Sequence, residues 1–338
     1  MLLRYYSYQL KFKYPFAIAA GKRNSTPVVY VELEHDGLIG YGEAALPGYL
    51  PETQTTVIDF LEKVDIKQFN NLPEIENSLD YIFSVAPGNL AAKAAVDMAL
   101  HDLRGKILGQ PCHALWKLDK NNCPETTYTI GIDSPEMILK KLEETKGFNL
   151  LKVKLDGTKD KELIETICSA TDKNICVDVN QGWKEKESAL DMIHWLKEKG
   201  VVFVEQPLSK NKLDDAQWLK EKSPLPLIAD EAVQTLDDIE KIKDAYHGIN
   251  IKLMKCGGLR EAMKMIQHTK KSGIKIMIGC MSESSCGVSA AAQLAPLADW
   301  TDLDGPLLIT NDPFSGITYR NGKIVLNDLP GTGVVKRN

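Results

Sequence analysis

Apolar runs with the length of β-strands alternate with Lys/Glu-rich amphipathic segments from about residue 124 onward. The runs lie at residues 126–132, 150–155, 174–180, 201–206, 226–231, 248–254, 275–281 and 299–305. The segments between them, such as PEMILKKLEETKG and LREAMKMIQHTKKSG, have the apolar spacing of a helix and end at glycine. Strands that alternate with helices in this way predict an α/β fold whose parallel strands close into a barrel.

The first part of the chain has a different pattern. Residues 2–12 alternate loosely as a strand does, and residues 28–44 predict two further strands around a turn at His35-Asp36-Gly37. The segment between them, residues 16–26, begins with small apolar residues and continues with basic and polar ones. We interpret this segment as a mobile loop within an antiparallel meander.

One long helix is predicted at GNLAAKAAVDMALHDLRGKILG, residues 88–109. Asn89 is its expected N-cap, and Gly109 its expected end. Asp97 and Asp102 lie on this helix, and we interpret them as solvated or helix-pairing carboxylates.

The change of pattern divides the chain into two units, as its 338 residues exceed the usual size of one domain. We place an α+β domain at residues 1–115 and the barrel at residues 124–311. The segment that follows, residues 312–338, has turn-forming residues and one short strand. Because the barrel is complete before it, we predict that this tail packs back on the first domain.

Composition narrows the range of partners. A formal net charge of −5 with a pI near 5.8 provides no broad basic surface for nucleic acid. The seven cysteines are scattered without a C-x-x-C pair, which indicates neither a disulfide framework nor a zinc site. No export signal and no apolar run of membrane-spanning length is visible. We therefore expect a cytoplasmic protein whose partners are a small molecule and further copies of the same chain.

Three carboxylates end successive apolar runs: Asp178 in NICVDVN, Glu205 in VVFVEQP and Asp230 in PLIADE. A lone acid at such a place is usually part of an ordinary loop. Three acids in register on consecutive strands would repel one another at one rim unless a cation neutralised them. Oxygen ligands without Cys or His select Mg²⁺ or Mn²⁺ over zinc, so we predict one such ion at these residues.

Lysines flank the carboxylates along the chain. Lys152 and Lys154 point to the same side of the second predicted strand, and Lys252 ends the sixth. A solvated lysine face is the alternative for the first two. Strands two and six lie opposite each other in an eight-stranded barrel, so Lys154 and Lys252 are candidates for proton transfer on opposite faces of one carbon. Lys255, beside Cys256-Gly257-Gly258, is a rival that we place in a loop.

Two further segments are candidates for substrate binding. Asp302 and Asp304 form a D-x-D motif in TDLDGP, which could receive an ammonium group or could be an ordinary acidic loop. Ser282 lies in GCMSESS after the seventh strand, where backbone N–H groups and hydroxyls could bind a carboxylate.

These motifs together resemble those of the enolase superfamily and, within it, the muconate-lactonizing subgroup. The matching residues are Lys152 and Lys154 in K-x-K, Asp178 in DVN, Glu205 in EQP, Asp230 in ADE and Lys252 in NIKLMKCGG. The helix AAKAAVDMALHDLRGKILGQP is also similar to the family's capping-domain helix, so the resemblance covers nearly the whole chain. It implies a modified TIM barrel, (β/α)7β, with an α+β N-terminal capping domain. It also implies a Mg²⁺-dependent reaction through an enediolate.

The D-x-D motif is similar to the one by which dipeptide epimerases hold the α-ammonium of the substrate. This implies epimerisation of a dipeptide at the α-carbon of its C-terminal residue. The family's Ala-Glu epimerases place an arginine in the loop between the first strands. Here the nearest counterpart is Ala20-Gly21, with Lys22 and Arg23 close behind, which favours small or apolar dipeptides such as Ala-Ala over L-Ala-D/L-Glu.

Four other functions remain open at this point. Dehydration as in o-succinylbenzoate synthase and cycloisomerisation would proceed through the same enolate, although the D-x-D motif argues against both. An aldolase that forms a Schiff base with a barrel lysine is a different class of enzyme. A barrel that only binds peptides would leave both lysines unexplained.

Overall fold

The computed structural model describes residues 1–19, 21–69 and 74–337. Its N-terminal part is an antiparallel sheet in the order β1-β2-β3, formed by β1 (Leu2–Ile18), β2 (Gly21–His35) and β3 (Leu38–Ala45). Asp36 and Gly37 adopt positive φ angles of 49° and 78° between β2 and β3. The predicted meander and its second turn are confirmed.

The predicted loop at residues 16–26 is wrong, because strand pairing continues through it. Phe16 pairs with Arg23 and Ile18 with Gly21, after a register shift between Lys11 and Phe16. The polar residues reflect solvent on one face of an edge hairpin, and they do not prevent backbone pairing. Ala20 lies outside the described residues.

Among its described residues, the capping domain also has four α-helices: α1 (Gln54–Leu61), α2 (Glu76–Ser84), α3 (Leu90–Leu108) and α4 (Cys112–Leu115). The end of α3 is as predicted, with Gly109 in the left-handed conformation at φ 65°. Its start differs, because Asn89 makes no capping hydrogen bond through its side chain. The carboxylate of Glu52 accepts instead from the backbone N–H groups of Ala91 and Ala92 at 3.0–3.1 Å. A cap from a distant loop leaves no local sequence pattern.

The second part is an eight-stranded parallel sheet in chain order from β4 to β11. Its strands are β4 (Tyr128–Ile130), β5 (Leu150–Lys154), β6 (Asn174–Asp178), β7 (Val201–Glu205), β8 (Leu227–Ala229), β9 (Gly248–Lys252), β10 (Lys275–Gly279) and β11 (Trp300–Asp302). The backbone N–H of Thr127 donates to the carbonyl of Thr301 at 3.1 Å, so the first and last strands meet. Every predicted barrel strand is present, and the predicted fold class is confirmed.

Helices follow the barrel strands: α5 (Pro135–Glu143), α6 (Asp160–Ala170), α7 (Lys186–Glu198), α8 (Leu213–Lys222), α9 (Leu236–Ile242), α10 (Leu253–Cys256), α11 (Leu259–Lys271) and α12 (Ser285–Ala292). Their apolar faces are buried against the strands. A separate cluster of buried side chains, including Phe203 and Met277, fills the barrel interior. The barrel is therefore a packed core, and its chemistry is confined to the rim.

The tail forms two small antiparallel pairs, β12 (Phe314–Ser315) with β15 (Val335–Lys336) and β13 (Thr318–Arg320) with β14 (Lys323–Val325). The ring of Phe314 lies 5.0 Å from that of Tyr30 in β2. The β12 contact supports our proposal that the tail packs on the capping domain, whereas Tyr319 in β13 packs against Phe148 in the barrel part.

Asp97 and Asp102 are fully buried, so the solvated alternative is wrong, while the helix-pairing alternative holds. Asp102 pairs with Lys106 within the helix at 2.7 Å and also accepts from the backbone N–H of Thr332 in the tail. Asp97 accepts from the N–H of Leu259 at the start of α11. Both acids therefore anchor α3 to other parts of the chain. Across the described ranges, no helix combines the length and apolar character that crossing a membrane requires.

Candidate active site

Strand register brings the charged residues to one level of the barrel rim. Lys154 is paired with Asp178, and Asp178 with Glu205, along three adjacent strands. Asp230 follows the last residue of β8. One carboxylate oxygen from each of the three acids lies within 4.8 Å of the others, and all three residues are buried. The structure thus brings together the three residues predicted as metal ligands.

The electrostatics of these acids differ. Burial, together with the neighbouring charge of Asp178, raises the pKa of Glu205 to about 7. Burial also acts to raise the pKa of Asp230, but Lys252 and Lys255 outweigh it and hold that pKa well below its usual range. Concentrated negative charge of this kind needs cations around it.

The site fits a hard divalent cation. The predicted ligand set offers only carboxylate oxygens, which suit Mg²⁺ or Mn²⁺. Glu205 Oε2 is buried and makes no hydrogen bond, although it lies 2.7 Å from Lys152 Nζ in an ion pair. Its other oxygen accepts from Asn250 Nδ2 at 2.8 Å. Asp178, Glu205 and Asp230 are therefore the residues that would hold the ion.

Lys152 lies among the acids and is only 1% exposed. Its Nζ is 2.6 Å from Asp302 Oδ2, 2.7 Å from Glu205 Oε2 and 3.1 Å from Asp178 Oδ2. Burial acts to lower the pKa of Lys152, but these carboxylates outweigh it and raise the pKa well above its usual value. Lys152 is thus a fixed positive charge under the pocket, and the alternative of a solvated lysine face does not hold for it.

Lys154 and Lys252 line one pocket, from β5 and β9 respectively. Three strands separate β5 from β9 in the sheet, so the two side chains approach from opposite sides of the rim. Lys154 Nζ lies 2.6 Å from Asp178 Oδ2, and Lys252 Nζ lies 2.7 Å from Asp230 Oδ2. The two amines therefore bracket the pocket, and each is held by a different predicted metal ligand.

Lys255 is in the short helix α10 and not in a loop. Its Nζ lies within 3.0 Å of four oxygens, two from Asp230 and the backbone carbonyls of Val233 and Asn250. An ammonium group has three hydrogens, so these acceptors use its full capacity. This arrangement favours a role in holding Asp230 and disfavours one as a catalytic base.

The two acids of the D-x-D motif line the same pocket but have different partners. Asp302 accepts from Thr127 Oγ1 at 2.5 Å and from Lys152. Asp304 accepts from the backbone N–H of Thr129 at 2.5 Å. Burial and the charge of Asp302 raise the pKa of Asp304 to about 7. Asp302 is thus tied to Lys152, whereas Asp304 has no cation of its own among the ion pairs of the described chain.

The capping domain forms one wall of the pocket above the rim. Arg23 donates from Nη2 to Ser282 Oγ at 3.2 Å, and its guanidinium lies 5.4 Å from the ring centre of Tyr49. Both residues line the pocket with Phe16. About 1010 Å³ of empty space lies between these residues and the rim, including the part open to solvent.

Sequence reasoning missed residues that support the site. Asn250 precedes Lys252 by two positions on β9 and binds Glu205, and a Cβ at position 279 would collide with it. Gln206 has a positive φ of 37° and accepts from the N–H of Asp230 at 2.9 Å. The i, i+2 spacing to Lys252 could have identified Asn250. The role of Gln206 depends on a strained backbone that no spacing reveals.

Comparison with known protein families identifies the family to which the chain belongs. The family model described as "Mandelate racemase / muconate lactonizing enzyme, N-terminal domain" matches residues 4–116, and "Enolase C-terminal domain-like" matches residues 138–337. The chain therefore belongs to the mandelate racemase/muconate lactonizing enzyme family of the enolase superfamily. The resemblance inferred from its motifs is confirmed.

Particular relatives are dipeptide epimerases. The chain is 53% identical to the L-Ala-D/L-Glu epimerase of Bacteroides thetaiotaomicron, over 99% of this chain and 88% of that one. A substrate-liganded L-Ala-D/L-Glu epimerase from Bacillus subtilis superimposes with a TM-score of 0.92 at 28% identity, covering 99% and 98% of the two chains. The Enterococcus faecalis dipeptide epimerase complexed with Mg and L-Leu-L-Tyr gives 0.90 at 30% identity, covering 98% of each chain.

Proposed function

We propose that this protein is a Mg²⁺-dependent dipeptide epimerase, an isomerase that inverts the α-carbon of the C-terminal residue. The observation that carries the proposal is the placement of Lys154 and Lys252 on opposite sides of one pocket, above three clustered carboxylates. Inversion at carbon requires a proton acceptor on one face and a donor on the other. The names of the relatives support this choice of reaction.

The α-proton of a carboxylate is weakly acidic, because its removal builds a second negative charge on the same oxygens. A Mg²⁺ ion held by Asp178, Glu205 and Asp230 would bind the substrate carboxylate and stabilise that charge. Lys152 adds a positive charge 2.7–3.1 Å from two of these ligands. Its buried ammonium needs little reorganisation as charge develops.

Lys154 and Lys252 would transfer the protons. For one epimer, the neutral amine of Lys154 would take the α-proton while the ammonium of Lys252 gives a proton to the opposite face. For the other epimer, the same residues would exchange roles. One proton leaves and one arrives, so the substrate changes only in configuration.

The D-x-D motif favours a substrate with a free α-ammonium. Asp304 lines the pocket and has no cation of its own among the described ion pairs, so it is the acid best placed to receive that group. Dehydration and cycloisomerisation have no use for an ammonium receptor. This buried acid therefore favours epimerisation over the alternative reactions of the same family.

Two kinds of dipeptide side chain are candidates for the substrate. Small or apolar dipeptides such as Ala-Ala fit the apolar surfaces of Phe16 and Tyr49. An acidic side chain, as in L-Ala-D/L-Glu, is the second candidate, because Arg23 reaches the pocket and donates to Ser282. A carboxylate would be a stronger acceptor for the guanidinium than a serine hydroxyl.

Incubation with pooled dipeptides in D₂O with Mg²⁺ tests the proposal. Mass spectrometry should show a gain of one deuteron at the C-terminal residue, and a chelator should abolish it. The failure of every dipeptide to exchange would refute the epimerase. Borohydride trapping of a substrate adduct, with activity that survives the chelator, would instead indicate a Schiff-base aldolase.

A further inference from the structure

Two glutamates meet in the core between the capping domain and the barrel, outside the pocket. Glu43 comes from β3, and Glu283 lies in the segment that joins β10 to α12. Their side chains belong to residues that are 0% and 1% exposed. No ion pair to either glutamate is found within residues 1–19, 21–69 and 74–337. Two buried carboxyl groups without a cation need another explanation.

Glu43 is surrounded by hydrogen-bond donors. Its carboxylate accepts from the N–H of Ser284 at 3.0 Å, from the hydroxyl of Ser284 at 2.5 Å and from the N–H of Gly287 at 3.0 Å. These groups are at the N-terminal end of α12, where an anion is stabilised. Burial raises the pKa of Glu43 to about 7, and these donors favour its ionised state above that pH.

Glu283 has the opposite surroundings. Its Oε1 accepts from the N–H of Met281 at 2.7 Å, while its Oε2 is buried without a hydrogen-bond partner. A Cβ at position 287 would collide with this oxygen and come within 3.3 Å of Glu43 Oε2. Gly287 thus leaves a space that both carboxyl groups border. An unpartnered oxygen here is suited to a carboxyl O–H.

The other charged or titratable groups around the pair do not supply a salt bridge. Lys252 acts on Glu283 only at a distance, and Asp312 adds negative charge near Glu43. Tyr30, Cys280 and Cys286 are further neighbours of the pair, and they are neutral in their ordinary states. Burial and the charge of Glu43 raise the pKa of Glu283 to about 8.

We propose that Glu43 and Glu283 are positioning residues that hold one proton between them, with Glu43 ionised and Glu283 neutral. The pair fixes the segment that carries Ser282 against the capping domain, because it binds Met281 on one side of that serine and Ser284 on the other. Ser282 in turn receives the hydrogen bond from Arg23. The proton therefore helps to hold the wall of the pocket in place.

The sign of the pH dependence follows from both raised pKa values, about 7 for Glu43 and about 8 for Glu283. Each carboxyl is protonated in the folded protein up to its raised pKa, whereas in the unfolded chain it loses the proton at its ordinary value. The unfolded state then binds fewer protons, so stability falls as pH rises from the ordinary to the raised values. A neutral residue of the same shape at position 283 removes the part of this loss that comes from Glu283.

Glu283→Gln is the test, because glutamine keeps the shape and can donate to Glu43. Thermal unfolding of the Mg²⁺-loaded protein would be followed from pH 5 to pH 9, with the exposed Glu136→Gln as control. At pH 9 the Glu283→Gln variant should unfold at least about 3 °C above the wild type, and the two should converge at pH 5. The control should match the wild type throughout.

Two further readouts separate positioning from mere stability. In the wild type, KM for the dipeptide should rise above pH 8, and this rise should be absent in Glu283→Gln. Glu43→Gln, which turns an amide toward the donors of α12, should lower the unfolding temperature at every pH. The kinetic readout rests on the proposed function, whereas the unfolding readout does not.

The proposal would be overturned by an unfolding temperature of Glu283→Gln that follows the wild type at every pH. It would also be overturned if the stability of the wild type depended on added K⁺ or Ca²⁺ instead of pH, because a cation would then replace the shared proton.

Discussion

The barrel rim and the hairpin of the capping domain contribute to one pocket in different ways. On the rim, Lys154, Asp178 and Glu205 are consecutive partners across three paired strands, so each position is set by backbone hydrogen bonds. In the hairpin, Arg23 reaches the pocket after a register shift between β1 and β2. A shift of one residue would turn its side chain to the other face of the sheet.

This difference assigns the two parts different tasks. The rim residues are buried and bound to one another, so changing one of them affects the whole charge network. Arg23 makes one hydrogen bond to a side chain across the pocket, and Tyr49 is 46% exposed. The rim can therefore keep one chemistry while the hairpin varies what the pocket accepts. Substitutions in the two parts should have separable effects.

The largest effect is expected from the lysines of the rim. Lys154→Ala or Lys252→Ala should each lower the rate of epimerisation by roughly 10³-fold, the usual contribution of a positioned acid or base. Each variant should still exchange the α-proton of one epimer for deuterium, because the other lysine remains. NMR in D₂O with separate epimers measures both. Lys271 is an exposed lysine on α11, so Lys271→Ala is the control and should behave as wild type. A near-normal rate of epimerisation in Lys252→Ala would contradict the two-lysine mechanism.

An intermediate effect is expected at Asp304. Asp304→Asn should raise KM by about 10–100-fold, because it removes a charged hydrogen bond to the substrate ammonium. The raised pKa of about 7 adds a pH dependence, since the carboxyl gains its charge as pH rises through that value. Wild-type KM should therefore fall from pH 6 to pH 8, and that of the variant should not.

A substrate control sharpens this result. An N-acetylated dipeptide lacks the ammonium group, so Asp304→Asn should leave its kinetics almost unchanged. An equal loss with the free and the acetylated dipeptide would show that Asp304 supports the barrel and does not bind the ammonium.

The same contrast explains how much could be predicted from sequence. The strands ending at Asp178 and Glu205 were predictable because their β-branched runs recur with the period of a β/α unit. The polar residues of the hairpin obscure its strand alternation, so its sequence predicts a loop. The sequence predicts Asn89 as the cap of α3 because the real partner, Glu52, is distant along the chain. Local patterns predict local structure, and contacts that close over long separations leave little trace in them.

The smallest effect, and the most specific, is expected at Arg23. If its guanidinium receives an acidic side chain, Arg23→Met should lower kcat/KM for L-Ala-L-Glu by about 10-fold or more while leaving Ala-Ala within about 3-fold. Lys22→Met is the matched control, because Lys22 is the adjacent cation but is exposed and does not line the site pocket. Equal losses for both dipeptides would mean that Arg23 only holds Ser282 and the wall of the pocket. A loss confined to the acidic dipeptide would show that the hairpin chooses the substrate while the rim leaves the chemistry unchanged.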